Sequence, residues 1–386
     1  MKILSIETSC DETAASVTDG RKILSNVVYS QVLLHKKWGG VVPTIAKRAH
    51  EERIAFVIND ALVKAAKNFT GPVESFLPAS ARHGNHDLRA VGKPSSLATR
   101  KISCLFSKID CIAVTYGPGL AIALEVGINK AIELALKYKK KIIPVNHMEG
   151  HIFSSFAQNS AGNPKLPFEF PYLALLVSGG HTELVFWEDY LKFKILGETV
   201  DDAAGEALDK ASKMLGLGYP GGALIERLAS KVDNKDFYKF PRPMRGSKDL
   251  NFSFSGLKTS FYYLLKDMKE REKISKLNDL VSSFQEAVFD SIIIKTRKAI
   301  EQTGVKKVVL GGGVSSNKRL KHLLKELLKK NNGELNYPKK DFCTDNAAMI
   351  GIAAYYKAKK GIFYPDLEML DRIPRMILGE EVKLKI

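Results

Sequence analysis

Two stretches of this chain, whose first residues lie 170 positions apart, spell the same local structure. The run Ile3-Leu4-Ser5-Ile6-Glu7-Thr8-Ser9-Cys10-Asp11-Glu12-Thr13 passes from an apolar strand through a turn of small, hydroxyl and acidic residues into a returning strand, Ala14 to Thr18. Leu173-Ala174-Leu175-Leu176-Val177-Ser178-Gly179-Gly180-His181-Thr182-Glu183 does the same before the strand Leu184 to Trp187. Such runs read as β-hairpins. Strand–turn–strand pieces recur in many α/β chains, but a repeat of this kind predicts a duplicated domain with a cleft between the copies. Around the hairpins, the strand-like runs Cys111 to Thr115, Ile142 to Val145 and Lys307 to Leu310 alternate with helical periodicity. The helical stretches are Glu51 to Lys67, Gly127 to Tyr138, Asp202 to Leu215, Asp279 to Gln302, Asn317 to Lys330 and Ala347 to Lys359. The alternation predicts an α/β fold, and 386 residues suffice for two lobes. Residues 70 to 108 break the rhythm with Pro72, Pro78, Pro94 and several glycines, and read as a surface insertion loop.

No apolar run approaches the eighteen residues of a membrane span, and a strand opens the chain where a signal peptide would stand. Cys10, Cys104, Cys111 and Cys343 form no CxxC pair, which suits reduced thiols in the cytoplasm. The formal charge of +17 attracts polyanions, nucleic acid first among them. Part of that excess is lysine on solvated helix faces such as Lys318, Lys321, Lys325 and Lys329.

His147 and His151 are spaced to lie on one face of a helix, one turn apart, where two imidazoles suit a transition metal. A zinc peptidase would carry its general-base Glu directly after the first His. Here the Glu is Glu149, roughly 200° around the helix from His147, so the pair lacks that base. The best-placed third ligand is Asp345, in Cys343-Thr344-Asp345-Asn346-Ala347-Ala348, a segment whose polar residues also suit a helix N-cap. Two His and one carboxylate suit Fe(II) or Zn(II).

Three glycine turns have the composition to approach phosphate, because glycine lets backbone N–H groups converge on an anion. They are Gly311-Gly312-Gly313-Val314-Ser315-Ser316-Asn317, Ser178-Gly179-Gly180-His181-Thr182, and Tyr219-Pro220-Gly221-Gly222 ahead of Glu226. Neither a P-loop nor a Rossmann fingerprint is present. Asp202, Glu206 and Asp209 fall at helical spacing and are expected on one face, suited to ribose hydroxyls or to water.

Together these motifs resemble the tRNA N6-adenosine threonylcarbamoyltransferase family. The resemblance adds Gly39-Gly40-Val41-Val42-Pro43, Tyr116-Gly117-Pro118-Gly119-Leu120 and Asn251-Phe252-Ser253-Phe254-Ser255-Gly256 to the runs above, and covers nearly the whole chain. It implies the actin-like, Hsp70-like and sugar-kinase fold, with two RNase H-like lobes around a nucleotide cleft. The expected division is 1–146, 147–344, and a C-terminal helix and tail, 345–386, returning to the first lobe. It implies iron or zinc at His147, His151 and Asp345, and an adenylate held by Val177, Ser178, Gly179, Gly180, Asp209, Gly222, Glu226 and Asn317. The implied reaction moves threonylcarbamoyl from threonylcarbamoyl-AMP to the exocyclic amine of the adenosine 3′ of the anticodon, in tRNAs reading codons that begin with A. ATP is a second nucleotide the cleft would accept. An inactive paralogue of the same fold and a small ATPase are the implied helper subunits. Asp11 and Glu12, on the first hairpin turn, are candidates for positioning the amine or taking its proton. A metallopeptidase and a non-catalytic ATP-binding regulator of the same fold are the competing readings. Three departures from the family pattern are residues 70–108, longer than the usual family connection, Glu125, where an apolar residue is expected, and Glu226, where Asp is common.

Overall fold

The protein is described here from a computed structural model covering residues 1–68 and 96–379. The first half runs β1 (Lys2–Glu7), β2 (Glu12–Asp19), β3 (Lys22–Ser30), α1 (Val32–His35), α2 (Pro43–Ala66), α3 (Ser96–Ser107), β4 (Cys111–Gly117), α4 (Ala121–Tyr138), β5 (Lys141–Asn146) and α5 (His147–Ser154). Its sheet has the order β3-β2-β1-β4-β5, antiparallel from β3 to β1 and parallel from β1 to β5. The second half begins with β6 (Tyr172–Val177), β7 (Thr182–Asp189), β8 (Lys192–Glu198), α6 (Ala204–Met214), α7 (Gly222–Ala229), α8 (Ser255–Asp267), α9 (Glu270–Ser275) and α10 (Leu277–Thr303). It ends with β9 (Lys307–Gly311), α11 (Lys318–Lys330), β10 (Glu334–Asn336) and α12 (Ala347–Lys359). The second sheet has the order β8-β7-β6-β9-β10, again antiparallel on the hairpin side of β6 and parallel on the other. Strand for strand the two sheets match in order and polarity, so the duplication legible in two hairpins extends to both sheets.

The reason is visible in the side chains. Strands β1, β4, β6 and β9 are almost wholly buried, as strands covered on both faces must be, whereas the outer strands β3 and β8 include exposed positions. One apolar cluster joins the first sheet to α2 and α4 through Ile58, Leu62, Ile112 and Leu124. A second joins the other sheet to α6 and α10 through Leu175, Leu208, Phe284 and Val288. A third draws on both halves, packing Ile3, Val145 and Phe153 with Leu176, Trp187, Val309 and Ile350. Helix α12 lies against α5, β1 and β2, which places the segment before it beside the start of the chain.

Several expected boundaries shift. Helix α2 begins at Pro43 rather than Glu51, because proline is a favourable first helical residue and the charged run 47–53 hid the apolar positions. Helix α4 begins at Ala121 instead of Gly127. Part of the supposed insertion loop is α3, whose Ile102, Leu105 and Phe106 pack on the first core. Pro72, Pro78, Pro94 and the rest of residues 69–95 lie outside the described ones. No helix among the described residues is long and apolar enough to cross a membrane, and all four cysteines are free.

One pairing imposes a pH dependence. Glu183 on β7 stands opposite Glu198 on β8, and its Oε2 is buried without a hydrogen-bond partner among the described residues. Burial, then the Glu198 charge, pushes its carboxyl up to about 7. A carboxyl raised in the folded state lends no penalty below its unfolded value near 4.5 and a growing one as pH rises to about 7, so stability falls across that window. The shift corresponds to an upper bound on the order of 3 kcal/mol. Glu183→Gln is therefore expected to flatten the loss, raising the urea midpoint at pH 8 more than at pH 4.5. Equal midpoint changes at both pH values would contradict it.

Candidate functional site

The site begins where β5 turns directly into α5. The Asn146 side chain caps the helix by accepting from the Met148 N–H at 2.8 Å, so His147 occupies the first helical position and His151 follows one turn later. Their rings stand 4.7 Å apart and nearly perpendicular, at 85°. Asp345, just ahead of α12, brings Oδ1 to 3.4 Å from His147 Nε2 and 3.1 Å from His151 Nε2. The approach of α12 depends on Gly150, where a Cβ would lie 2.9 Å from Ile350 Cδ1 and 3.0 Å from Met349 Cγ. A larger residue would push the carboxylate away from the imidazoles.

Three features fit a cation there. One ligand atom from each of the three side chains lies within 4.8 Å of the others. His151 Nδ1 has no hydrogen-bond partner among the described residues and Nε2 has only the 3.1 Å approach of Asp345 Oδ1, although the side chain is 1 % exposed, which is costly unless something binds it. Burial alone would lower His147 and raise Asp345. Glu7 and Asp345 nevertheless hold His147 well above the ordinary histidine range, and the two imidazoles hold Asp345 below the usual carboxylate range. The cluster thus calls for positive charge, and its donor set of two imidazoles and one carboxylate is one that iron or zinc accepts. Glu149, the wrong-sided Glu of the peptidase comparison, is buried and pairs with Lys357 at 3.0 Å.

Glu7, to which the sequence pattern assigns no role, orients His147. Its Oε2 lies 2.9 Å from His147 Nδ1 and accepts from Thr115 Oγ1 at 2.6 Å, while Oε1 accepts from the Ser9 N–H. His147 and these bonds hold Glu7 below its ordinary value against the effect of burial. An ionised Glu7 can only accept, so Nδ1 carries the proton and Nε2 is left for a metal. The available signal was a lone acid ending an otherwise apolar strand. His181, beyond the second hairpin turn, is held neutral near the pair, pushed down to about 4 by burial and by the two imidazoles.

The first hairpin turn supplies two more carboxylates. Asp11 is 7 % exposed and its Oδ2 has no hydrogen-bond partner among the described residues, while its backbone carbonyl accepts from the Gln31 N–H at 2.9 Å. Burial, then the charges of Asp345 and Asp11, raises Glu12 well above the ordinary carboxyl range, and Ser30 donates to its Oε1. Across the cleft, burial and the charges of Asp11 and Asp209 raise the Tyr219 phenol.

The turns after β6 and β9 meet. Ser178 Oγ accepts from the Gly180 and His181 N–H groups, which forms the tight turn after β6. Gly312, at φ +86°, lies so close to Val177 that a Cβ would fall 2.4 Å from the Val177 carbonyl oxygen. At Gly179, Gly180, Gly222 and Gly313 a Cβ would meet nothing within 4 Å, so these four turn positions have room above their backbone. Other expected contacts have structural partners. Asp209 Oδ1 accepts from the Gly221 and Gly222 N–H groups, Glu226 Oε1 accepts from Lys318 N–H, and Asn317 caps α11. Glu226, Lys318 and Arg319 border a cavity of about 340 Å³. The expected acidic face does not form on one helix. Helix α6 begins at Ala204, so Asp202 precedes it and is paired with Lys210 and Lys258, and Lys210 also takes Glu206. Glu125 is explained by Lys47 at 3.1 Å and Arg372 at 3.7 Å.

Comparison with known proteins adds independent findings. The family model described as tRNA N6-adenosine threonylcarbamoyltransferase matches residues 22–71 and 93–352, with its break inside the region of irregular sequence. Proteins of that name from Kosmotoga olearia and Endomicrobium trichonymphae are 42% and 44% identical, covering 95% and 96% of this chain and 96% of each relative. One from Staphylococcus aureus is 40% identical over 94% of this chain and 93% of its own. Among solved structures, full-length HypF in a phosphate- and nucleotide-bound form covers 93% of this chain with 46% of its own, at TM-score 0.54 and 13% identity. That likeness speaks to the fold, which is the actin-like, Hsp70-like and sugar-kinase one.

Proposed function

We infer that this chain, which belongs to the tRNA N6-adenosine threonylcarbamoyltransferase family, transfers threonylcarbamoyl to the exocyclic amine of the adenosine 3′ of the anticodon, in tRNAs reading codons that begin with A. The donor is threonylcarbamoyl-AMP. The observation that carries the mechanism is the buried Asp11 Oδ2, which has no hydrogen-bond partner among the described residues, on the turn whose Glu12 feels the charge of Asp345 in the His147–His151–Asp345 cluster.

The amine nitrogen attacks the carbamoyl carbon. A C–N bond forms, the C–O bond to phosphate breaks, AMP leaves with the electron pair, and one proton leaves the nitrogen. An aromatic amine is a weak nucleophile, so the protein's task is placement and a home for that proton. Asp11 has a free oxygen to take it, and the protonated tendency of Glu12 leaves it a hydrogen-bond donor beside the reacting group. We assign Val177, Ser178, Gly179, Gly180, Asp209, Gly222, Glu226 and Asn317 to the adenylate. The glycines have room for phosphate oxygens, while Asp209, Glu226 and Asn317 shape the turns that bear them. His147, His151 and Asp345 would hold iron or zinc, whose charge favours phosphate or threonine oxygens at that edge of the cleft. The basic surface suits tRNA, the cytoplasm suits both substrates, and the helper subunits are a paralogue of the same fold and a small ATPase.

The test is reconstitution of the purified chain with the helpers, threonylcarbamoyl-AMP and unmodified tRNA, followed by mass spectrometry of the nucleosides. Modified adenosine is expected. Its absence with active helpers would favour the non-catalytic nucleotide-binding reading.

A further inference from the structure

The segment joining β3 to α2 overhangs the mouth of the cleft. It starts at Gln31, whose N–H holds the Asp11 carbonyl. It passes so close to the second lobe that a Cβ on Gly39 would lie 3.6 Å from Lys213 Nζ. Lys36 and Gly39 line a cavity of about 200 Å³ with Asp209, Lys213 and Tyr219, the last of which feels the Asp11 and Glu12 charges.

This rim is built to present a ring outward. His35 is fully buried, with Nε2 3.2 Å from Gln31 Oε1 and Nδ1 accepting from the Val42 N–H. Lys36–Trp38 form one 3₁₀ turn closed by Gly39 at φ +66°. Above that anchor Trp38 is 56% exposed, and Lys37 Nζ lies 5.2 Å from its ring centroid. From Gln31 to His50 the chain has no Asp or Glu, but it has Lys36, Lys37, Lys47 and Arg48. An exposed indole among lysines is costly in water and suits a polyanion with flat, unpaired bases.

The reaction supplies such a ligand. A base whose exocyclic amine must enter a cleft has to leave its stack, and unpaired RNA bases are commonly received on aromatic faces. We propose that Trp38, flanked by Lys36 and Lys37, is the platform on which an unpaired base of the tRNA anticodon loop stacks as the target adenosine enters the cleft. The proposal rests on the transferase reading and adds a recognition residue to it.

The chain has 2 tryptophans and Trp187 is fully buried, so Trp38 is the sole exposed fluorescent reporter of its kind. Titrating the full-length protein with an unmodified anticodon stem-loop RNA is expected to quench the red-edge emission. Trp38→Ala is expected to weaken RNA binding roughly tenfold to a hundredfold, the size of one base–aromatic stack, with adenylate binding unchanged. Trp38→Phe should recover most of the affinity. Lys36→Ala with Lys37→Ala should weaken binding and lower its salt dependence. Emission unchanged at saturating RNA, or Trp38→Ala binding within twofold of wild type, overturns the platform. Quenching by RNA in a protein that makes no modified adenosine with its helpers supports the platform and counts against the transferase reading, so the two failures are distinguishable.

Discussion

Asp11→Ala is expected to slow single-turnover transfer by about two to four orders of magnitude, the range a positioned general base contributes, while adenylate binding stays within a few-fold. The expectation follows from the contrast between the two carboxylates of the turn. Glu12 receives a hydrogen bond from Ser30 and is driven toward its protonated form by burial, Asp345 and Asp11. Asp11 has one oxygen with no hydrogen-bond partner among the described residues, in a nearly closed space. A buried carboxylate left open in this way costs stability, so its removal should leave the melting temperature unchanged or raise it. Asp11→Asn separates shape from basicity. It keeps the side-chain volume and should be nearly as slow as the alanine variant if proton acceptance is the role. Rapid-quench measurement of the transfer step, with helpers and tRNA saturating, decides it. A rate within threefold of wild type in Asp11→Ala would remove Asp11 from the chemistry.

The second large effect concerns the metal. His151→Ala and Asp345→Ala are each expected to reduce copurifying iron or zinc from about one per chain to near zero, read by elemental mass spectrometry. The wild-type protein should lose thermal stability when stripped by a chelator, since a ligand at about a hundred times its Kd stabilises the native state by about 2.7 kcal/mol. Both alanine variants should be insensitive to the chelator. Glu7→Gln is the informative companion. It leaves the three ligands in place but removes the charge that holds the proton on His147 Nδ1, so metal affinity should fall about tenfold to a hundredfold rather than vanish. Full metal content in both alanine variants would refute the assignment.

Local patterns in the sequence were read well wherever the chemistry was itself local. The i, i+4 spacing of His147 and His151 became one face of α5, Asn317 became the cap of α11, and two of the three glycine turns stand at strand ends while the third opens α7. The misreadings share a cause. Helix α3 was hidden because its apolar positions are interrupted by a basic stretch, and only packing on the first core selects it. The acidic face was misjudged because spacing cannot tell whether a helix has begun at Asp202 or at Ala204, nor that Lys258 arrives from α8. The role of Glu7 is not legible in its own motif because its partner, His147, lies 140 residues away.

By itself the sequence determined the two hairpins, the helix that pairs the histidines, the glycine turns and the basic character of the chain. Each is set by backbone periodicity, turn stereochemistry or net charge over a few residues. The tertiary structure alone decided which of these meet. It sets α12 against α5 across Gly150, so that Asp345 comes within reach of both imidazoles, and it brings Lys213 and Tyr219 under the rim that holds Trp38 outward. Those meetings depend on burying one apolar core shared by both halves of the chain, and close packing places groups hundreds of residues apart to within an ångström, which no local spacing can do.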